Sequence, residues 1–374
     1  MSFVDGRLKN LLKKILGKKA YASLSLMRYF ISPFHIRDII VLKYHFIRLK
    51  NGGKLHRPTK SHVLFVTEKW HDGTPESGPT NSDHSLFGSL EESDLATQDR
   101  CHPDEYYFRN NRPFDTALLL KCIKSKPDLI ILTWPSTPKV KTLKLIKEKL
   151  QIPMIAFWWD SVNHMKEAES FLPFVEFNVM IDASSSHIGK TDQPEKYLSM
   201  WTPQDSRRYC NPGLKQDIDV SFTGTMAGYP DRVAGIRALR LSGIDVCQVG
   251  GHREHRLSVY EYARMHMRSK IALNFCYHPN GGAQVKGRVF EVLLCGSMLL
   301  EAENAETAKF FVPMIDYVPF SNEKDLVDKV KYYLAHDDER EEIAANGHKK
   351  IQEKYSGEMW WKTIFDRLSE EAKQ

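Results

Sequence analysis

The chain has 374 residues, 42% of them hydrophobic, enough for two α/β domains with separate cores. Its six cysteines (Cys101, Cys122, Cys210, Cys247, Cys276 and Cys295) form no CxxC pair, which argues against a disulfide framework or a thiolate metal module and predicts reduced thiols in a cytoplasmic protein. No secretory pattern and no run of about 18 apolar residues is visible, so neither export nor a membrane span is expected. The net charge of +6 is uneven: residues 1–60 carry 14 Lys and Arg against Asp5 and Asp38, leaving the rest of the chain acidic.

Residues 1–60 form a basic N-terminal extension. Leu8, Leu11, Leu12, Ile15 and Leu16 recur at i, i+3, i+4, i+7 and i+8 between lysines, the period of an amphipathic helix. Tyr29, Phe30, Phe34, Tyr44 and Phe46 follow. Such a segment suits an anionic membrane surface, each basic residue there being worth about 1 kcal/mol. It equally suits packing on the protein body or an oligomer partner. It contains no recognisable nucleic-acid module, and no nucleic-acid partner is expected.

Residues 61–200 read as a first Rossmann-like domain. Strands are predicted at 61–67, 128–133, 153–159 and 177–182, and helices at 116–123 and 139–150. Continuous apolar strands alternating with helices mean a parallel sheet with crossover helices. The polar stretch 68–97 is long for a connection and is read as a functional or mobile loop. Its His71, Asp72, Asp83 and His84 lack a fixed metal-ligand framework. Ligands of parallel sheets bind beyond the carboxyl ends of strands. Trp158, Trp159 and Asp160 close one such strand, making Asp160 the first polar candidate and His164 the second. Asp160 also fits a plain helix cap, with both tryptophans in the core.

Residues 197–215, with Pro203, Pro212 and Gly213, read as the crossing into a second domain spanning 201–355. Asp217 and Asp219 form a D-x-D pair, but they precede a strand, away from its ligand-binding end. After the strand 220–223, a loop holding Gly224 and Gly228 leads to Arg232 and the helix 233–242. That is either an anion-binding glycine loop or an ordinary βα turn. A strand follows at 245–249, then a loop with His252, a helix at 260–270 and a strand at 271–275.

Residues 281–304 organise this domain. Gly281, Gly282 and Gly287 loosen a loop, an apolar helix runs over 289–295, Gly296 stops it in a left-handed cap, and a buried strand covers 297–300. Lys286 and Arg288 stand at the helix start, whose unpaired N–H groups and positive dipole end suit a pyrophosphate. Glu291, placed by this reading in the first helical turn, can accept hydrogen bonds from vicinal sugar hydroxyls. It can also serve as a dipole-favoured acid or an i, i+3 partner of Arg288. Helices are predicted at 323–335, 339–355 and 360–368.

The run from Lys286 through Glu291 and Gly296 to Leu300 resembles the donor segment of GT-B glycosyltransferases of the group-1 type, especially the CgeB-like (spore-maturation-protein-like) group. Asp219-Val-Ser-Phe-Thr-Gly-Thr is similar to the strand opening that family's second domain, and Ile271-Ala-Leu-Asn-Phe to the strand before the donor loop. Asn322-Glu-Lys-Asp-Leu, Leu334-Ala-His-Asp-Asp-Glu-Arg and Ile343-Ala-Ala-Asn-Gly-His are similar to its closing helices. The likeness covers about residues 217–365 well and the first half in outline.

This resemblance implies two Rossmann-like domains with parallel sheets plus the basic helical extension, with residues 356–374 returning to the first domain. It implies transfer of a sugar from a nucleotide-diphosphate sugar to a hydroxyl of a glycan or lipid-linked acceptor, without a cofactor or metal. Gly224, Arg232, Gly282, Gln284, Lys286, Arg288 and Glu291 would bind the donor, with His252 near its base and Asp160 or His164 in a catalytic role. Two departures stand out: Trp159 occupies the place of a histidine that touches the donor sugar in many relatives. Ala283 stands eight residues before Glu291, where retaining members carry a second glutamate. Retention is therefore implied by Glu291 alone. The departures also fit a non-catalytic GT-B-like scaffold or glycan-binding protein, and an epimerase of the same fold is a third reading.

Overall fold

The computed structural model describes residues 40–43, 47, 61–108, 114–133, 138–159, 164–181, 188–250, 257–277 and 283–371. The expected helix around 8–19 lies outside the described residues, as do Asp160, His252, Gly281 and Gly282.

The first half builds a six-stranded sheet from β1 (His62–Val66), β2 (Thr97–Cys101), β3 (Leu129–Thr133), β4 (Met154–Trp158), β5 (Asn178–Ile181) and β6 (Tyr197–Met200). Every pairing is parallel and the order is β2-β1-β3-β4-β5-β6. Successive side chains of a strand point to opposite faces, so Leu64 and Val66 join one core while Val63 and Phe65 join the other. The first core lies under α3 (Phe114–Ser125) and α4 (Val140–Leu145), which runs on as a π-helical turn at Ile146–Leu150.

The sequence misled in three places here. Strand β2 is polar (Thr-Gln-Asp-Arg-Cys) and buries only Cys101, so it lacks the apolar signal that marked the other strands. Residues 197–200, expected in the crossing, pair with β5 as an edge strand. The stretch 68–97 is no open loop: it folds into three single 3-10 turns and the helix α1 (Leu86–Ser93). Its start is pinned by the Asp104 carboxylate, which accepts from the Lys69 and Trp70 N–H groups at 3.1–3.2 Å. Helices α2 (Pro103–Phe108) and α5 (Met165–Phe171) complete this half.

The second half builds a five-stranded parallel sheet from β7 (Ile218–Thr223), β8 (Cys247–Val249), β9 (Ser269–Asn274), β10 (Met298–Ala302) and β11 (Val318–Phe320), ordered β11-β10-β9-β7-β8. Its helices are α6 (Pro230–Leu241), α7 (Val259–Met267), α8 (Gly287–Leu294), α9 (Glu323–Ala335) and α10 (Asp337–Lys354). Ser258 starts α7 with a capping box to Glu261. Gly296 follows α8 at φ +75°, a left-handed conformation, and a Cβ there would strike Asn211.

Inside α10, Gly347 lies against the Asp316 carbonyl and Leu293, which leave no room for a Cβ. Glycine to alanine normally gains about 0.5–1 kcal/mol in a helix. Overpacking costs about 1–3 kcal/mol and wins here, so Gly347→Ala should lower the unfolding midpoint in a thermal melt.

The last helix, α11 (Gly357–Glu371), leaves the second sheet and closes the first. Trp360, Trp361 and Ile364 are fully buried in the core that contains Val63, Phe65 and Phe157. Trp361 Nε1 donates to Ser89 Oγ at 2.9 Å, and Trp360 Nε1 to the Trp201 carbonyl at 2.9 Å.

Candidate functional site

Both sheets wind alike. In each, strand order reverses beside the first strand, between β1 and β3 and between β7 and β9, and a crevice opens beyond the carboxyl ends at such a switch point. A cavity of about 800 Å³ occupies this position. Its first-half wall comes from the turns after β1, including His71, Glu76, Asn81 and His84. Its second-half wall comes from the loop after β7 and the starts of α7 and α8.

The floor is basic. Arg288 and Arg232 hold their guanidinium carbons 5.0 Å and 5.7 Å from the Phe222 ring centre. Arg288 donates Nε to Thr223 Oγ1 at 3.0 Å and Nη1 to Asn274 Oδ1 at 2.7 Å. Arg232 donates Nη1 to the Thr225 carbonyl at 2.7 Å and lies 3.5 Å over the Tyr229 ring. Neither guanidinium forms an ion pair with a described carboxylate. Burial, and then the charge of Arg288, pull the Arg232 pKa down to about 10. Gly224 makes this approach possible: at φ +153°, a Cβ would come within 2.7 Å of Arg288 Nη2 and 3.6 Å of Arg232 Nη1. Two recessed cations held together are costly alone, and a dianion between them removes the cost.

Lys286 is the N-cap residue of α8 and bonds the Gln284 side-chain oxygen through Nζ. Lys286, Gly287, Arg288 and Glu291 line the cavity, whereas Gln284 is buried and is not among the lining residues. Gly224 and Arg232 also line it.

Glu291 stands on the second turn of α8, one turn later than the sequence suggested, because the helix begins at Gly287. The dipole explanation for an acid here therefore falls away, and the i, i+3 pair with Arg288 does not form. Its Oε2 accepts from Tyr262 Oη at 2.7 Å and its Oε1 from Gln204 Nε2 at 3.4 Å. Burial raises its pKa, opposed by the Tyr262 bond, Arg288 and Gln204. Lone pairs on both oxygens remain for a ligand's hydroxyls.

Sequence reasoning missed Tyr262, Gln204, Thr223 and Asn274 as members of this site. Asn274 carried a usable signal, a polar residue closing a buried strand at its ligand-binding end. Tyr262 carried none, being an ordinary aromatic within a helical pattern.

His164 starts α5, stacks on Trp158 with ring centres 6.2 Å apart, sits 3.9 Å from Glu167, and is not among the residues lining the cavity. Trp158 is core, donating Nε1 to Asn178 Oδ1 at 2.9 Å. Trp159 packs edge-on against Phe157. Two histidines do line the cavity, His71 and His84, and His84 is 5% exposed with its Nδ1 unpartnered among the described residues. Burial first, then Arg208 and His71, press the His84 pKa down to about 3, so it is neutral at physiological pH.

Asp83 pairs with Arg100 and Arg208 at 3.2 Å and 3.6 Å, and among the described residues no three side chains group as metal ligands. The D-x-D pair lies at the amino end of β7, with Asp217 bonded to Arg268 and Asp219 to Lys270. All six cysteines are free thiols. No helix among the described residues is long and apolar enough to cross a membrane.

Two parallel-stranded α/β halves facing each other across a cleft, with the last helix returning to the first, define the GT-B fold. Solved structures with this fold superpose on the chain at low identity. Anabaena HepE in complex with UDP and glucose matches at TM-score 0.56 and 10% identity, over 83% of this chain and 100% of that one. A glycosyltransferase from Rickettsia africae matches at 0.54 and 10%, over 85% and 100%. Sucrose-phosphate synthase from Thermosynechococcus elongatus matches at 0.53 and 10%, over 83% and 99%. Residues 212–366 match the family model described as glycosyl transferase-like. No curated protein sequence matches the chain.

Proposed function

We propose that the chain is a group-1 glycosyltransferase of the CgeB-like type, moving a sugar from a nucleotide-diphosphate sugar to a hydroxyl of a glycan or lipid-linked acceptor. The observation that carries this reading is the Arg232–Arg288 pair, without a carboxylate partner among the described residues and facing a cleft shared with Glu291. As the bond from the sugar's anomeric carbon to the diphosphate oxygen breaks, charge grows on the leaving group. Arg232, Arg288, Lys286 and the first N–H groups of α8 stabilise it. These groups supply enough positive charge for a metal-independent reaction. Glu291 holds the ribose. The acceptor hydroxyl enters from the wall of His71, Glu76 and Asn81; its oxygen bonds the anomeric carbon as the diphosphate leaves, and its proton passes to the departing diphosphate. Asp160 remains the proposed polar or basic group, and retention the proposed outcome. The basic residues of 1–60 would hold the protein to an anionic membrane face. The HepE structure contains UDP, which supports UDP-sugars as the first donors to try.

The test is thermal unfolding with UDP, GDP, ADP, CMP and TDP, on wild type and Glu291→Ala. A ligand at a hundred times its Kd stabilises the fold by about 2.7 kcal/mol. Losing hydrogen bonds to a charged group should cost the variant about 1.5–3 kcal/mol of nucleotide binding. Should no nucleotide raise the midpoint, the non-catalytic scaffold takes precedence, the reading that Trp159 and Ala283 favour.

A further inference from the structure

Beneath Arg288 lies a buried polar chain that the proposed chemistry does not use. Asn274 and Glu301 are register partners on β9 and β10, both completely buried. The Asn274 amide is oriented at both ends: its Oδ1 accepts from Arg288 Nη1 at 2.7 Å and its Nδ2 donates to Glu301 Oε1 at 2.8 Å. A carboxyl in the middle of a sheet is among the costliest side chains to bury, and every neighbouring position of β10 before it is apolar. We propose that Asn274 and Glu301 are positioning residues that aim Arg288 at a bound nucleoside diphosphate and set how much of its positive charge that diphosphate feels. The inference rests on the reading of the cavity as a nucleotide site.

Geometry gives the direction of the effect. One amide separates the Glu301 carboxyl from the guanidinium, so a negative charge on Glu301 acts on Arg288 from behind and competes with a phosphate in front. Burial raises the Glu301 pKa to about 8, against the Asn274 bond, the nearby Thr307 and Asn304 side chains and the charge of Arg288. Near pH 7 the group is mainly neutral and Arg288 is fully available; above about pH 8 the opposing charge develops. The other titratable groups interacting with Glu301 are Cys276 after β9 and Tyr317 before β11. Burial pushes the Cys276 thiol up to about 12 and raises the Tyr317 hydroxyl well above its usual range, so neither titrates between pH 7 and 9.

The experiment is calorimetric titration of the full chain with UDP and with uridine at pH 7 and pH 9, with GDP, ADP or TDP and their nucleosides if UDP does not bind. The ratio of diphosphate to nucleoside affinity cancels the base's own titration. In wild type this ratio should fall roughly fivefold between the two pH values, the part of a one-unit pKa coupling that develops between pH 7 and 9 for a group titrating at about 8. Glu301→Gln keeps the shape and removes the charge, and should flatten the ratio. Asn274→Ala should lower the ratio at both pH values with nucleoside affinity unchanged. If Asn274→Ala does not fold, the near-isosteric Glu301→Gln decides alone. A wild-type ratio independent of pH, or the same fall in Glu301→Gln, overturns the inference while leaving the nucleotide site standing. Absence of binding by any diphosphate of the set overturns the nucleotide reading and this inference with it.

Discussion

Arg288→Ala should weaken nucleoside-diphosphate binding by about 3 kcal/mol, roughly a hundredfold, from the loss of two charge-assisted hydrogen bonds to phosphate. Arg288 is the cation best placed for this, since Thr223, Asn274 and the Phe222 face fix its guanidinium on three sides. Arg288→Lys is the informative companion. A lysine keeps the charge but has neither the planar fork nor the geometry to hold Thr223 and Asn274 together, so it should recover only part of the affinity. Calorimetry with UDP reads both, and a melting curve without ligand separates folding losses from binding losses. Wild-type affinity in the alanine variant would mean that the phosphates sit elsewhere in the cleft.

The largest stability effect should come from Trp361→Ala, at about 3–5 kcal/mol for removing a large buried aromatic. Trp361 has no exposed surface, meets Trp360 edge-on at 4.7 Å and Phe65 at 5.9 Å, and donates to Ser89. Trp361→Phe retains most of the apolar contact and loses the hydrogen bond, leaving Ser89 Oγ unpaired, for about 1–2 kcal/mol. Chemical denaturation of the two variants separates packing from bonding. A cost below about 1 kcal/mol for alanine would show that α11 is not docked on the first sheet in solution.

Much of the architecture was legible because burial writes a strong pattern. Strands β3 and β4 are continuous apolar runs, wholly buried, and Gly296 marks the end of α8 with the positive φ it adopts. The edges were not legible: β2 is polar, and β6 follows a Pro-containing turn and buries only its two end residues, so neither carries a continuous apolar run to announce it. In the site, the clustered signals of the α8 start brought Lys286, Arg288 and Glu291 to one wall. Gln284 and His164 do not line the cavity, since spacing along the chain does not say which side of an element faces the cleft. Tyr262 and Gln204 arrive at Glu291 from 29 and 87 residues away, a meeting that no local pattern encodes.

The bond between Trp361 and Ser89 spans 272 residues, and it orders events during synthesis. At about 5–20 residues per second, roughly 15–55 s pass between translation of the two ends. Over that time the first half has its strands but not the helix that seals one face, leaving Phe65 and Phe157 without their tryptophan cover. The nascent chain therefore offers an aromatic surface suited to a holding chaperone, and ribosomes stalled before codon 360 should yield a protease-sensitive first half.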